Sequence, residues 1–420
     1  MLNRIKKILR ILLMVFFVCN LLVSSGDIQG EGNLYVRNFT KRYEFNLIKW
    51  TTGALVDKII LKSLNISDYL SLESKDIIID DYLNNKNKLN DIRIRIYQIY
   101  SDPFMIDSEK PVKELETIFE SLKRIDSEIT PLVEDILESQ IIAVFFENRL
   151  AIYGQPFPPL LFKISELPEN LIVSPRDRIE QIESVSLTSQ LETKDMENLE
   201  STIDSELNVS SLVVPIGGLG MYPTMIGASS SLPWLINTIA HEWTHNWLVF
   251  HPLGWNYGKS NDLRTMNETT ASIIGSEIEL LVLKKYYPNK YNEIIQATNE
   301  LNTYTELNAL NINPFDFSAE MYITRIHVDS LLSIGNVPEA EGYMEIRRQD
   351  FWDNGYLIRK INQAYFAFYG AYADIPGGAT GNDPVGPAVR KFREQSESIS
   401  EFLLNIAKLS SFSELIQIVE

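Results

Sequence analysis

The run Leu235-Ile-Asn-Thr-Ile-Ala-His-Glu-Trp-Thr-His-Asn-Trp-Leu-Val-Phe250 holds the pattern H-E-x-x-H at His241, Glu242 and His245. Residues four apart on a helix are offset by only about 40° and 6 Å, so both imidazoles can reach one ion while Glu242 stands beside them. The flanks (Leu235, Ile236, Ile239, Ala240, Trp243, Trp247 and Leu248) are apolar nearly all round, as in a buried helix. Burying two imidazoles and a carboxylate there costs several kcal/mol unless something pairs them, and a metal ion is an economical partner. Two of the chain's four histidines fall in the pattern, and the competing reading is a hydrogen-bonded histidine pair in the core.

A catalytic zinc takes three protein ligands and leaves one position open for water. Two residues compete for third place. His251 completes the metzincin spacing, but that motif needs a glycine three residues after the second histidine, and Leu248 stands there. On a continuing helix His251 lies about 15 Å along the axis from His241, out of reach. Glu268, in Asn267-Glu268-Thr269-Thr270-Ala271-Ser272, is the better candidate, 23 residues beyond His245.

These two segments together resemble the gluzincin metallopeptidases, whose second motif helix carries N-E-x-x-[AS]-D. The resemblance covers roughly residues 210 to 285. It implies His241, His245 and Glu268 as zinc ligands and Glu242 as general base in the hydrolysis of peptide bonds by a metal-activated water. The family's aspartate that orients a ligand histidine is replaced by Ser272, whose hydroxyl can accept the same N–H bond without adding charge. The family's oxyanion donor, a tyrosine or histidine from a later helix, has Tyr343, Arg325, Tyr365 and His327 as candidates here, with Tyr343 preferred. The wider chain, with its His-Glu-Trp-Thr-His motif, is also similar to a group of uncharacterised exported bacterial proteins. A second class stays open: a catalytically inactive metalloprotease-like binding or scaffold protein at the cell envelope.

The 420 residues, 45% hydrophobic, suffice for two or three domains with real cores. A net charge of −18 argues against a nucleic-acid partner, and a peptide or protein substrate is what the gluzincin resemblance implies. Residues 1–25 read as a signal peptide or an N-terminal membrane anchor: Arg4, Lys6, Lys7 and Arg10 precede an apolar run from Ile11 to Val23. Both readings place the body outside the cytoplasm, secreted or membrane-anchored. Cys19, the only cysteine, sits in that run, so the exported part has neither disulfides nor a thiolate ligand.

The expected fold is α+β: mostly helical, with a small mixed β-sheet and two motif helices in a zincin-like catalytic core. Residues 26–154 form a helical N-terminal region. Within it Lys113 to Glu128 has the spacing of a helical hairpin or coiled-coil seam, and Pro131 is expected to open a new helix. Gln155-Pro-Phe-Pro-Pro159 reads as a rigid linker, after which residues 155–420 form the metallopeptidase domain with a helical C-terminal part. Short β-type runs are expected at 160–164, 171–173, 182–187, 211–215 and 221–226, with a hairpin turn at Gly217 to Gly220. The last run, Tyr222 to Ile226, is the expected free edge for an extended substrate backbone. The near misses to phosphate-binding loops, at Gly217 to Gly220 and Gly258 to Ser260, lack the required glycine spacing.

Overall fold

The computed structural model describes residues 33–64, 66–101, 109–152, 154–189, 191–297, 315–372 and 378–420, so the 1–25 segment lies outside the described residues. The described residues are mostly helical, about 68%, with a small mixed sheet. No described helix is long and apolar enough to cross a membrane.

Among the described residues four α-helices come first: α1 (Asn33–Thr40), α2 (Leu47–Leu64), α3 (Leu72–Ser101) and α4 (Glu109–Glu147). α3 and α4 run antiparallel, because Arg93 lies over Phe119 while Lys86 pairs with Asp126 further along α4 and further back on α3. Pro131 does not open a second helix; it sits inside α4. An interior proline costs about 3 kcal/mol. The segment beyond it buries Val133, Ile136, Leu137, Ile141, Val144 and Phe145, and that burial outweighs the lost hydrogen bond. Glu134 of α4 is buried against Lys58 of α2 at 2.5 Å and also accepts the Ile164 N–H, tying both helices to the first strands.

The segment read as a linker is anchored. β1 (Ala151–Ile152) pairs with β2 (Gln155–Pro156), and the Pro158 carbonyl accepts the indole N–H of Trp243 at 2.9 Å. The core is continuous across this point: Ile79, Tyr82, Ile136 and Phe145 cluster with Leu235, Ile239, Trp243 and Ile274.

Two three-stranded sheets follow. In the first, β4 (Glu169–Pro175) lies between β5 (Glu183–Leu187) and β6 (Val209–Pro215), all antiparallel, with α5 (Thr193–Leu207) linking β5 to β6. Alternation decides its faces. Leu171 and Val173 pack on α1 and α5, whereas Ile172, with Leu212 and Val214, packs on the C-terminal helices. The second sheet is mixed: β3 (Phe162–Ile164) is parallel to β8 (Thr224–Ile226), and β7 (Gly218–Leu219) is antiparallel to it. This corrects two expectations. Tyr222 to Ile226 supplies the central strand, not the edge, and the glycine-rich stretch is itself the edge strand β7 instead of the turn.

The motif stretch is α6 (Leu232–Leu248), capped by Ser231, whose side chain accepts the Trp234 N–H, with Pro233 in the first turn. After the single turn α7 (Pro252–Trp255) comes α8 (Asn261–Tyr286), capped by Ser260 and not by Asn261 or Asp262. α9 (Phe317–Ser333), α10 (Val337–Asp353) and α11 (Gln363–Tyr369) cover the first sheet. α11 starts only at Gln363, where Asn362 caps it, because Arg359 and Lys360 are drawn across to Glu200 and Asp204. α12 (Val385–Gln395), α13 (Ile399–Ile406) and α14 (Phe412–Val419) close the core around α8.

Candidate metal centre

α6 and α8 approach closely because Gly275 has no side chain. A Cβ there would stand 2.9 Å from Asn237 Oδ1, 3.0 Å from the Asn237 carbonyl and 3.3 Å from His241 Cβ. Trp243, fully buried against Phe145, fixes the far side of α6. Asn246 donates to the Met221 carbonyl and to Thr224 Oγ1, so the second sheet is held on the same helix.

This packing brings the two histidines and the predicted carboxylate together. His241 Nε2 and His245 Nε2 face each other at 3.0 Å, and Glu268 Oε2 lies 3.5 Å from the first and 3.4 Å from the second. The three residues form a group that could hold a metal ion. Among the described residues Glu268 Oε2 is buried with no hydrogen-bond partner, whereas Oε1 accepts the Tyr257 hydroxyl at 2.5 Å. One oxygen is therefore occupied and the other aimed between the imidazoles, as a monodentate ligand requires. Donors of nitrogen and oxygen in this number suit a divalent first-row ion.

The groups around the ligands are as informative. His245 Nδ1 lies 2.8 Å from Asn267 Oδ1, so the ring donates outward and turns the Nε2 lone pair inward. Ser272 is buried on α8 but no hydrogen bond joins it to His241 among the described residues, and the orienting role expected of it falls to Asn267, for the other histidine. Arg264, one turn before Glu268, is buried and donates to the Tyr257 hydroxyl at 3.4 Å and to the Ala367 carbonyl at 2.6 Å. Burial alone would lower the His245 pKa, but the Glu268 carboxylate beside it pushes it up to about 9. Burial would raise Glu268, and the two imidazoles hold it well below the usual carboxylate range. Such a pair is a cage built for positive charge. Glu242, also buried, is pushed up by desolvation against the pull of His241 and His245.

His251 is excluded as a ligand: it stacks on Trp247 at 3.7 Å with its Nδ1 on the Trp247 carbonyl. Tyr343 is not at the centre. It packs on His327, 4.3 Å between rings, where α9 and α10 meet over the first sheet. Arg325 is engaged by Asp329 and the Ala379 carbonyl, and Tyr365 is buried beside Tyr369. The tyrosines that do line the metal cavity are Tyr257 and Tyr372, the latter near-parallel to His241 at 6.4 Å. Burial and the Glu268 charge hold the Tyr372 phenol well above its ordinary pKa, so it remains a donor. Neither tyrosine carries a periodic or motif signal in the sequence. Arg264 does carry one, being a lone cation on the stretch of α8 that is otherwise buried. The edge strand β7 passes over Glu242, where a Cβ on Gly218 would meet the carboxylate at 2.6 Å.

Comparison with protein-family models, with curated proteins and with solved structures finds no match.

Proposed function

We propose that the protein is a zinc-dependent peptidase with a zincin-like core. One observation carries the reading: a buried carboxylate oxygen with no hydrogen-bond partner among the described residues converges with two imidazole nitrogens, and Glu242 sits on the same turn of α6. Two histidines and a glutamate are the ligand set of catalytic zinc sites that keep an open position. Zinc, when bound, supplies a Lewis acid that lowers the pKa of water from about 15.7 towards 7. Glu242 takes the proton from the attacking water and returns it to the leaving amine, a role suited to a carboxylate whose pKa burial has raised. β7, whose outer edge pairs with no strand among the described residues, aligns an extended substrate backbone beside Glu242. Tyr372 is the better donor to the developing oxyanion, because the Tyr257 hydroxyl is given to Glu268. The basic segment and apolar run at the N-terminus support export.

The test is Glu242→Gln in purified protein, with metal content measured and a mixed peptide library as substrate. Zinc is expected to stay while chelator-sensitive cleavage falls by about 10² to 10⁴. Cleavage by the variant at the parent rate, or a parent free of divalent metal, ends the proposal. Zinc in the parent without cleavage supports the second reading, a scaffold protein, which the missing bond between Ser272 and His241 favours.

A further inference from the structure

The metal cavity has two unlike walls. Beside the ligands, the first sheet contributes Asn170, Ser184 and, just before β5, Gln181, while α8 contributes Arg264, one turn before Glu268. All four are more than nine-tenths buried, at 8%, 2%, 7% and 5% exposure. Ser184 Oγ donates to Asn170 Oδ1 at 3.0 Å, which leaves the Asn170 amide N–H groups for the cavity. Gln181 Oε1 is buried with no hydrogen-bond partner among the described residues. A carboxamide presents either its oxygen or its N–H groups by a half turn of its last torsion. Arg264 spends Nε on a phenol and Nη1 on a main-chain carbonyl. Among the described residues its Nη2 has no acceptor and its charge has no carboxylate in direct contact.

A buried carboxamide oxygen without a partner and a buried guanidinium without a carboxylate in direct contact are each costly, so this wall is built to be completed by something else. Apart from Gln181 Oε1 its free groups are donors, and its formal charge is positive. The cavity's two carboxylates, Glu242 and Glu268, lie on the ligand side. We propose that this wall is a subsite for a substrate carboxylate, bound by Arg264 with Asn170 and Gln181. Such a carboxylate can come from an acidic side chain beside the scissile bond or from the free C-terminus of the peptide. The inference deepens the peptidase reading by naming a substrate class, and it rests on that reading only for the word substrate.

The experiment is calorimetric titration of the protein as purified with two matched pairs. N-acetylglutamate α-amide against N-acetylglutamine amide probes an acidic side chain, and N-acetylalanine against its amide probes a free C-terminus. One pair is expected to show the carboxylate binding about tenfold or more tighter, the range of a charge-assisted hydrogen bond. Arg264→Gln and Asn170→Leu should each abolish that preference. Any affinity of zinc for carboxylates is common to parent and Asn170→Leu, whose zinc content is measured alongside. No preference in either pair, or a preference that survives both substitutions, overturns the proposal. Discrimination in the titration with no cleavage of the peptide library would sink the peptidase and leave the subsite standing. Cleavage that is indifferent to acid against amide, with an indifferent titration, would do the reverse.

Discussion

Replacing Gly275 with alanine tests whether the approach of α6 to α8 sets the ligand geometry. The new Cβ would meet the Asn237 carbonyl at 3.0 Å and His241 Cβ at 3.3 Å, neither of them the free end of a flexible chain. The helices must part by a few tenths of an ångström at a point one turn from His241. Two energies oppose each other here. Alanine in a helix interior gains about 1 kcal/mol over glycine, while overpacking costs about 1–3 kcal/mol. The net change in folding stability is therefore modest, a loss of about 0–2 kcal/mol from these two effects. Metal binding is far less tolerant, because a site holds its ion only with ligand distances within about 0.2 Å of ideal. Zinc affinity is expected to fall about tenfold or more, on the scale of other perturbations that re-aim ligands. Competition against a chromogenic chelator measures it, with denaturant unfolding of the metal-stripped protein as the control. Alanine at 275 with parental zinc affinity would refute the argument that this glycine holds the two motif helices in register.

Other outcomes follow from the same structure. Asn267→Ala removes the acceptor that fixes the His245 ring at 2.8 Å, and zinc affinity should drop about 10- to 100-fold; unchanged affinity in the chelator assay would mean that the ring is held by packing alone. Lys58→Met strands Glu134, whose side chain is 5% exposed, and should destabilise the fold by about 3–5 kcal/mol. Adding Glu134→Gln should recover much of that loss, and a single variant that unfolds with the parent would show the pair to be idle. In metal-stripped protein, His245 has a folded pKa of about 9, above its unfolded value near 6.5. Its stabilisation is thus complete below about pH 6.5 and lost as pH rises through about 9, so the thermal midpoint should fall over that interval. Zinc should remove the dependence, and a flat profile in the stripped protein counts against the His245–Glu268 pairing.

What could be read from the sequence divides along a physical line. His241, Glu242 and His245 were legible because their relation is set within one helix turn, by a spacing that no tertiary contact alters. Glu268 needed only a second local motif. Pro131 misled, because a local preference was overridden by burial of the segment that follows it, a quantity summed over residues far apart in sequence. The edge strand misled for a similar reason: β8 looked like an edge until β3, some sixty residues earlier, paired with it in parallel. Tyr343 was preferred for its residue type on a late helix, but which late helix reaches the cavity depends on how α9 and α10 lie on the first sheet. The groups that do reach it form a chain across elements. The Ala367 carbonyl at the end of α11 accepts from Arg264 of α8, Arg264 donates to Tyr257 in the loop before α8, and Tyr257 donates to Glu268. α11 packs on β4, so the first sheet, remote from the motif in sequence, reaches the ligand carboxylate through three hydrogen bonds and fixes which of its oxygens is free to bind.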